Sequence, residues 1–263
     1  VGSDIARNGA VTLTDDVALD TSAANGAVLV NGTLDGAFDL TVNTGSGSAD
    51  FSGAVGATIS LDALIIDDAG TVTFADTVRA TSYEQTDIAS DVIFEDSVTV
   101  SALFNLVAGD VTAENGFTAD ELTVAVATAA TTPDNNIGAN TSILTVSGGD
   151  VVIGDGDGTI LLGQSSVPQK DVRGTVDFSA ANSVTIQVAE IHTGFVGGGG
   201  ADNSNAAGDL ILSTTGSNDI EAGEIVLGRS SGAGNASTVF TSTLVFGEDT
   251  DVATAPQAGR LIG

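Results

Sequence analysis

Cysteine, tryptophan and methionine are absent from the 263 residues, tyrosine and histidine occur once each, and proline occurs three times. Without cysteine there is no disulfide framework, no thiolate metal site and no cysteine nucleophile. A single histidine excludes a histidine cluster, and no serine stands in a G-x-S-x-G elbow. Basic residues are scarce as well. Six Lys and Arg face 35 Asp and Glu, a formal charge of −29. Nucleic acid is excluded as a partner, because its binding rests on Lys and Arg neutralising phosphates. An anionic bilayer is repelled for the same reason, and no run of about 18 apolar residues is present to insert as a helix. The lack of cysteine suits an exported protein of a bacterium. A chain that opens on Val1 without a signal-peptide pattern is expected to be a processed form or an excerpt from something longer.

What the chain does hold is enough to fold. Hydrophobic residues make up 42% although aromatics are only 4%, and the mean hydropathy is +0.29. The core must therefore be built from Val, Ile, Leu and Ala, with ten Phe as its large fillers. With 34 glycines and so little proline, turns rest on Gly, Asn and Asp.

The organisation is repetitive. GTVTFADTV (Gly70–Val78) returns as SDVIFEDSV (Ser90–Val98). The pattern G-x-V-x-Φ-x-(D/G/N)-x-Φ, with Φ apolar, also starts at Gly9, Gly26, Gly47 and Gly109. Start-to-start steps are 17, 21, 23, 20 and 19 residues. Weaker copies start at Gly149, Gly174, Gly208 and Gly223, so that the interval from Gly109 to Gly149 reads as two units. Apolar residues alternate with Thr, Ser and Asp inside each unit, the period of a half-buried strand, and helix-period runs are missing.

Short strands at this spacing, with glycine at corners, predict an all-β, right-handed parallel β-helix (β-solenoid) of about 20 residues per coil. About 12 coils at about 4.8 Å would make a rod of about 55–60 Å. An antiparallel sandwich also has evenly spaced strands, but it does not repeat identical residues at one strand position. In the solenoid, Phe51, Phe74, Phe94 and Ala113 form one interior column, and Val55, Val78, Val98 and Phe117 form another. Strict alternation would bury Asp76 and Asp96 with the phenylalanines, at the cost of desolvating a carboxylate. Both are therefore expected at outward corners. One elongated solenoid is expected over 1–263, with regular coils about 9–130 and less regular ones about 131–250. Loops are expected at Thr131–Ile137 and Gly197–Gly208, and a tail or cap at 248–263.

Val11 to Phe74, VTLTDDVALDTSAANGAVLVNGTLDGAFDLTVNTGSGSADFSGAVGATISLDALIIDDAGTVTF, resembles the repeat arrays of large, secreted, filamentous-haemagglutinin-like bacterial adhesins. The likeness extends over about residues 9–130 and is loose in the C-terminal half. It implies a right-handed β-helical stalk at the cell surface, with a role in attachment or matrix building and no catalytic residues. Partners would be other copies of the chain, joined end to end or laterally, or surface and matrix polysaccharide.

Candidate chemistry is sparse. His192, in AEIHTG, is expected to be a surface or turn residue beside a loop. Lys170 and Arg173 are the one near pair of basic residues, on an expected loop after Pro168. Gly154-Asp-Gly-Asp-Gly158 has the hard oxygen ligands and permissive backbone of a calcium loop, which makes Asp155 and Asp157 candidate Ca2+ ligands. An EF-hand is ruled out, because neither aspartate has a Glu twelve positions on. The N-x-S/T triplets at Asn31, Asn140 and Asn235 are what chance gives in a chain rich in Ser and Thr. Two functions remain. One is an extracellular structural or adhesive rod without catalysis. The other is a carbohydrate-active parallel β-helix enzyme, a hydrolase or lyase, working through paired carboxylates.

Overall fold

The computed structural model describes residues 4–86, 90–127, 141–166, 171–196, 206–230, 240–245, 250–254 and 260–262. The segments expected as loops at Thr131–Ile137 and over most of Gly197–Gly208 lie outside these residues. The described residues contain no α-helix, only one 3-10 turn at Ser22–Ala24, and every strand pairing is parallel. The chain is a parallel β-solenoid.

One sheet has ten strands, one from each coil. They are Ile5–Arg7, Val28–Val30, Ser48–Phe51, Thr71–Phe74, Asp91–Phe94, Gly109–Ala113, Thr141–Val146, Val172–Asp177, Ala206–Ile211 and Phe240–Val245. We number the coils one to ten by these strands. A twelve-stranded second sheet carries the longer strands, including Val78–Gln85, Val98–Leu106, Phe117–Ala127, Ser183–Val196 and Ser217–Ser230. Register shifts after Ala80 and Val100 mark irregularities where these long strands can bend.

The register turns the sequence repeat into ladders. Ile5, Val28, Ala49, Val72, Val92, Val111, Leu144, Val176, Leu210 and Leu244 are successive partners through the whole first sheet. Beside them run Val30, Phe51, Phe74, Phe94, Ala113 and Val146. In the second sheet Val78, Val98, Phe117, Val151 and Val184 form the equivalent column, which single bridges extend through Val55 to Leu34. All of these from coil two to coil nine are buried. A coil such as the fourth supplies six inward side chains: Val72, Phe74, Val78, Ala80, Tyr83 and Gln85. Gln85 takes the place of an apolar residue between Ile66 and Leu106. It accepts from the Tyr83 hydroxyl at 2.7 Å and donates to the Ser90 carbonyl at 2.8 Å, so the buried polar groups satisfy one another. The same burial pushes the Tyr83 phenol well above its ordinary pKa.

Coil length is where sequence and structure part. Ladder members are 19–23 residues apart as far as Val111 and 32–34 apart beyond it. Ten coils are present among the described residues instead of about 12, and a spacing of about 4.8 Å gives a rod of about 45–50 Å. The interval from Gly109 to Gly149 is one wide coil, which ends where Ser142 pairs with Gly109, plus the first strand of the next. The copies of the motif at Gly149 and Gly223 belong to the second sheet, out of phase with Gly70 and Gly174 in the first. Thr250–Thr254, expected in a tail or cap, is a strand paired to Asn218–Ala222.

The wide coils share a device the narrow ones lack. Ala125, Gly163, Gly194 and Gly228 have φ of 55°, 60°, 65° and 66°, all left-handed. The register places the four opposite one another on successive coils. Such a residue turns a strand, and beside this column a second small cluster forms from Ala125 and Val196 of the second sheet and Val172 and Ala206 of the first.

Candidate functional site

The recurring aspartates come first. Asp76 is exposed and accepts the main-chain N–H of Thr77 at 2.7 Å. Asp96, on the next coil, accepts from Ser97 at 2.6 Å and from the Asn115 side chain at 3.3 Å. Both hold a strand-to-strand corner, where a short polar side chain caps the backbone. Elsewhere Asp and Asn side chains join coils. Asp4 accepts from Ala27 N–H, Asp16 from Asp39, Asn25 from Ser46, Asp35 from Thr58 and Ile59, and Asp110 from Ile143. In every case the acceptor belongs to the earlier coil.

Asp110 is the strained member of this set. Burial raises its pKa, the facing Asp91 raises it further, and the Ile143 N–H offsets this in part. A raised carboxyl holds its proton more tightly folded than unfolded. Its penalty is therefore absent below the ordinary aspartate range and complete above the raised value. Asp110→Asn keeps an oxygen for Ile143 and removes the opposed charge. It should raise Tm at pH 7 by about 1–3 °C, the equivalent of a like-charge pair worth about 0.2–1 kcal/mol. Thermal melts at pH 7 and pH 2.5 check this, and a gain of the same size at both would disprove the electrostatic cause.

The Gly154–Gly158 segment is a corner loop of coil seven. Gly156 N–H donates to the Gln187 carbonyl at 2.9 Å, and Gly158 accepts from Ala189 at 2.8 Å. Asp155 and Asp157 are both exposed, and among the described residues no third carboxylate or imidazole gathers with them. Asp155 instead borders a groove of about 380 Å³ lined with Gln187, Val188, Glu221 and Gly223.

His192, expected at the surface or in a turn, is mostly shielded. It lies inside the 14-residue strand Ser183–Val196, with its side chain 16% exposed. Its Nε2 is 3.2 Å from Oε2 of Glu190, yet is shielded from solvent and out of line for a hydrogen bond. Glu224, the register partner of Glu190 on the next coil, completes a group of three. Among the described residues this is the one place where three ligating side chains meet. The signal in the sequence was Glu-x-His, two residues apart on one strand face, with a second Glu 34 positions after the first. A repeat of about 20 hides that pairing.

Lys170 lies outside the described residues. Arg173 belongs to the strand Val172–Asp177 and not to a loop, and its Nη2 meets Oδ2 of Asp209 on the next coil at 2.6 Å. Large apolar side chains are exposed at Ile59, Val152 and Val245, scattered along the described surface. No helix among the described residues is long and apolar enough to cross a membrane. The fold and its acidic corners thus define a parallel β-solenoid with cross-coil polar staples. No family model matches the chain, and neither a curated protein nor a solved structure is significantly similar to it.

Proposed function

We propose that the chain is an extracellular structural or adhesive module of a bacterial cell surface, a rigid acidic rod used as a stalk or as a self-associating filament or matrix subunit. The observation that carries this reading is the unbroken register of the first sheet across ten coils. Its interior is continuous and its polar staples are spent on holding coil to coil. A protein built this way resists bending, because a bend must break ladder pairs and side-chain stacks together. Strand edges at the two ends of such a stack are templates for further parallel pairing, and the charge limits lateral association unless cations screen it.

Negative-stain microscopy over a range of protein and salt concentrations tests the self-associating form. Rods that lengthen in steps of one particle length as either concentration rises are expected. Single rods of fixed length under all conditions would leave the stalk and overturn the filament. The groove bordered by Asp155 and Glu221 favours a second reading, a carbohydrate-active β-helix enzyme. Turnover of a polysaccharide that is lost in Asp155→Asn or Glu221→Gln would establish the enzyme over the structural rod.

A further inference from the structure

We propose that Glu190, His192 and Glu224 bind one transition-metal dication of the zinc class, which clips coil eight to coil nine. The site does not depend on what the rod is used for.

The ligands are placed by the fold. Glu190 and His192 stand two residues apart on Ser183–Val196, and a strand projects such residues from the same side. Glu224 comes from Ser217–Ser230, directly opposite Glu190. One ligating atom of each lies within 4.8 Å of the other two. Nε2 of His192 and Oε2 of Glu190 are 3.2 Å apart. Two ligands of one zinc ion, each about 2.0–2.2 Å from it, are held about 3.0–3.5 Å apart. The pair is thus already at ligand spacing, and Glu224 needs only a side-chain rotation to close on the same point.

The same atoms are unsatisfactory without a cation. Glu190 and Glu224 oppose each other as like charges on neighbouring strands. The Nε2 beside them is shielded from water and makes no hydrogen bond, although buried polar atoms are nearly always paired. A dication neutralises both carboxylates and takes the imidazole lone pair, so the two defects have one remedy. One imidazole nitrogen with two carboxylate oxygens suits zinc, cobalt or nickel. Calcium wants six to eight oxygens and magnesium an octahedron of oxygens, which this donor set does not provide. Ions of either kind on the acidic surface are a separate matter, and they supply the control.

The test uses the whole chain, stripped with chelator and titrated with ZnCl2 by calorimetry and thermal melting in the presence of millimolar Mg2+. The expected result is one tight equivalent of zinc, a rise in Tm that Mg2+ or Ca2+ alone does not give, and visible ligand-field absorption when Co2+ replaces zinc. Losing even an outer partner of a metal ligand typically weakens binding 10–100-fold, so Glu224→Gln and His192→Gln should each weaken zinc by more than about tenfold. Glu224→Gln also removes the like-charge contact. The metal-free variant should therefore melt no lower than the parent, which separates a lost ligand from a lost fold. The proposal is overturned if no one-equivalent isotherm is seen or if both variants bind zinc like the parent. It is equally overturned if Mg2+ produces the same shift. In that last case a proton or diffuse counterions serve the two glutamates.

Discussion

Phe74→Ala should cost about 3–5 kcal/mol, the range for truncating a buried phenylalanine. Phe74 is fully buried and sandwiched in a stack. Its ring centroid is 4.7 Å from that of Phe51 and 5.1 Å from that of Phe94, with interplanar angles of 14° and 12°. Those two contacts account for about 0.5–1.5 kcal/mol each, and the rest is lost burial and the cavity left behind. A solenoid can close that cavity only by moving a whole rung, because the backbones on either side are pinned by ladder hydrogen bonds. Stability here is a sum of coil and interface terms, so the damage should be local. Amide exchange should speed up in the strands Ser48–Phe51, Thr71–Phe74 and Asp91–Phe94, while Val172–Asp177 and Ala206–Ile211 keep their protection. Phe74→Leu should recover much of the loss. A denaturation midpoint within the about 0.5 kcal/mol typical of surface substitutions would show that the stack is not what holds these coils.

Gly163→Ala is the second large effect, expected at about 2–5 kcal/mol from left-handed strain and overpacking combined. Gly163 lies in the left-handed column of the wide coils, and a Cβ built on it would fall on the carbonyl oxygen of Ala207. Backbone cannot be rotated aside as a side chain can. Ala125 makes the experiment interpretable. It is an alanine at φ 55° in the same column one coil earlier, so the conformation alone does not forbid a methyl group. Any loss beyond the about 1–2 kcal/mol of left-handed strain therefore measures how closely Ala207 approaches. Chemical denaturation of Gly163→Ala beside the parent decides it. A loss no larger than the strain would mean that the two sheets can separate at this point at little cost.

The parallel solenoid was legible because its determinant is local and repeated. Phe74 and Phe94, or Val78 and Val98, recur at the interval of the coil, and in-register parallel pairing turns that interval directly into contact. The corner at Asp76 was legible for a related reason, since burying a carboxylate beside Phe74 would be costlier than bending the strand. The wide coils were not legible. Their length is set by where a left-handed residue turns the strand and by segments without a repeat, so the motif at Gly149 matched the right residues on the wrong sheet. The cluster around His192 was lost with it. Glu190 and Glu224 are neighbours only if the coil is 34 residues long, and His192 read as a surface or turn residue because a glycine stands two positions on and a loop was expected shortly beyond it. That glycine, Gly194, is a member of the left-handed column and lies within the strand.

The cross-coil staples have a direction, and the direction bears on assembly of the chain. Side-chain oxygens of Asp4, Asp16, Asn25, Asp35 and Asp110 each receive a main-chain N–H from the next coil towards the C-terminus, and the Ala69 N–H, which donates forward to Ser90 Oγ, runs the other way. A finished coil therefore carries acceptors already aimed at amides that have not yet arrived, and the arriving coil supplies donors that every non-proline residue possesses. The template is on the side that emerges first from a ribosome or a secretion pore. Folding that proceeds rung by rung in the order of synthesis finds several such acceptors prepared, whereas folding from the opposite end would find Ser90 Oγ and otherwise mostly bare amides. The rod is chemically polarised along its axis, and that polarity points the way the chain is made.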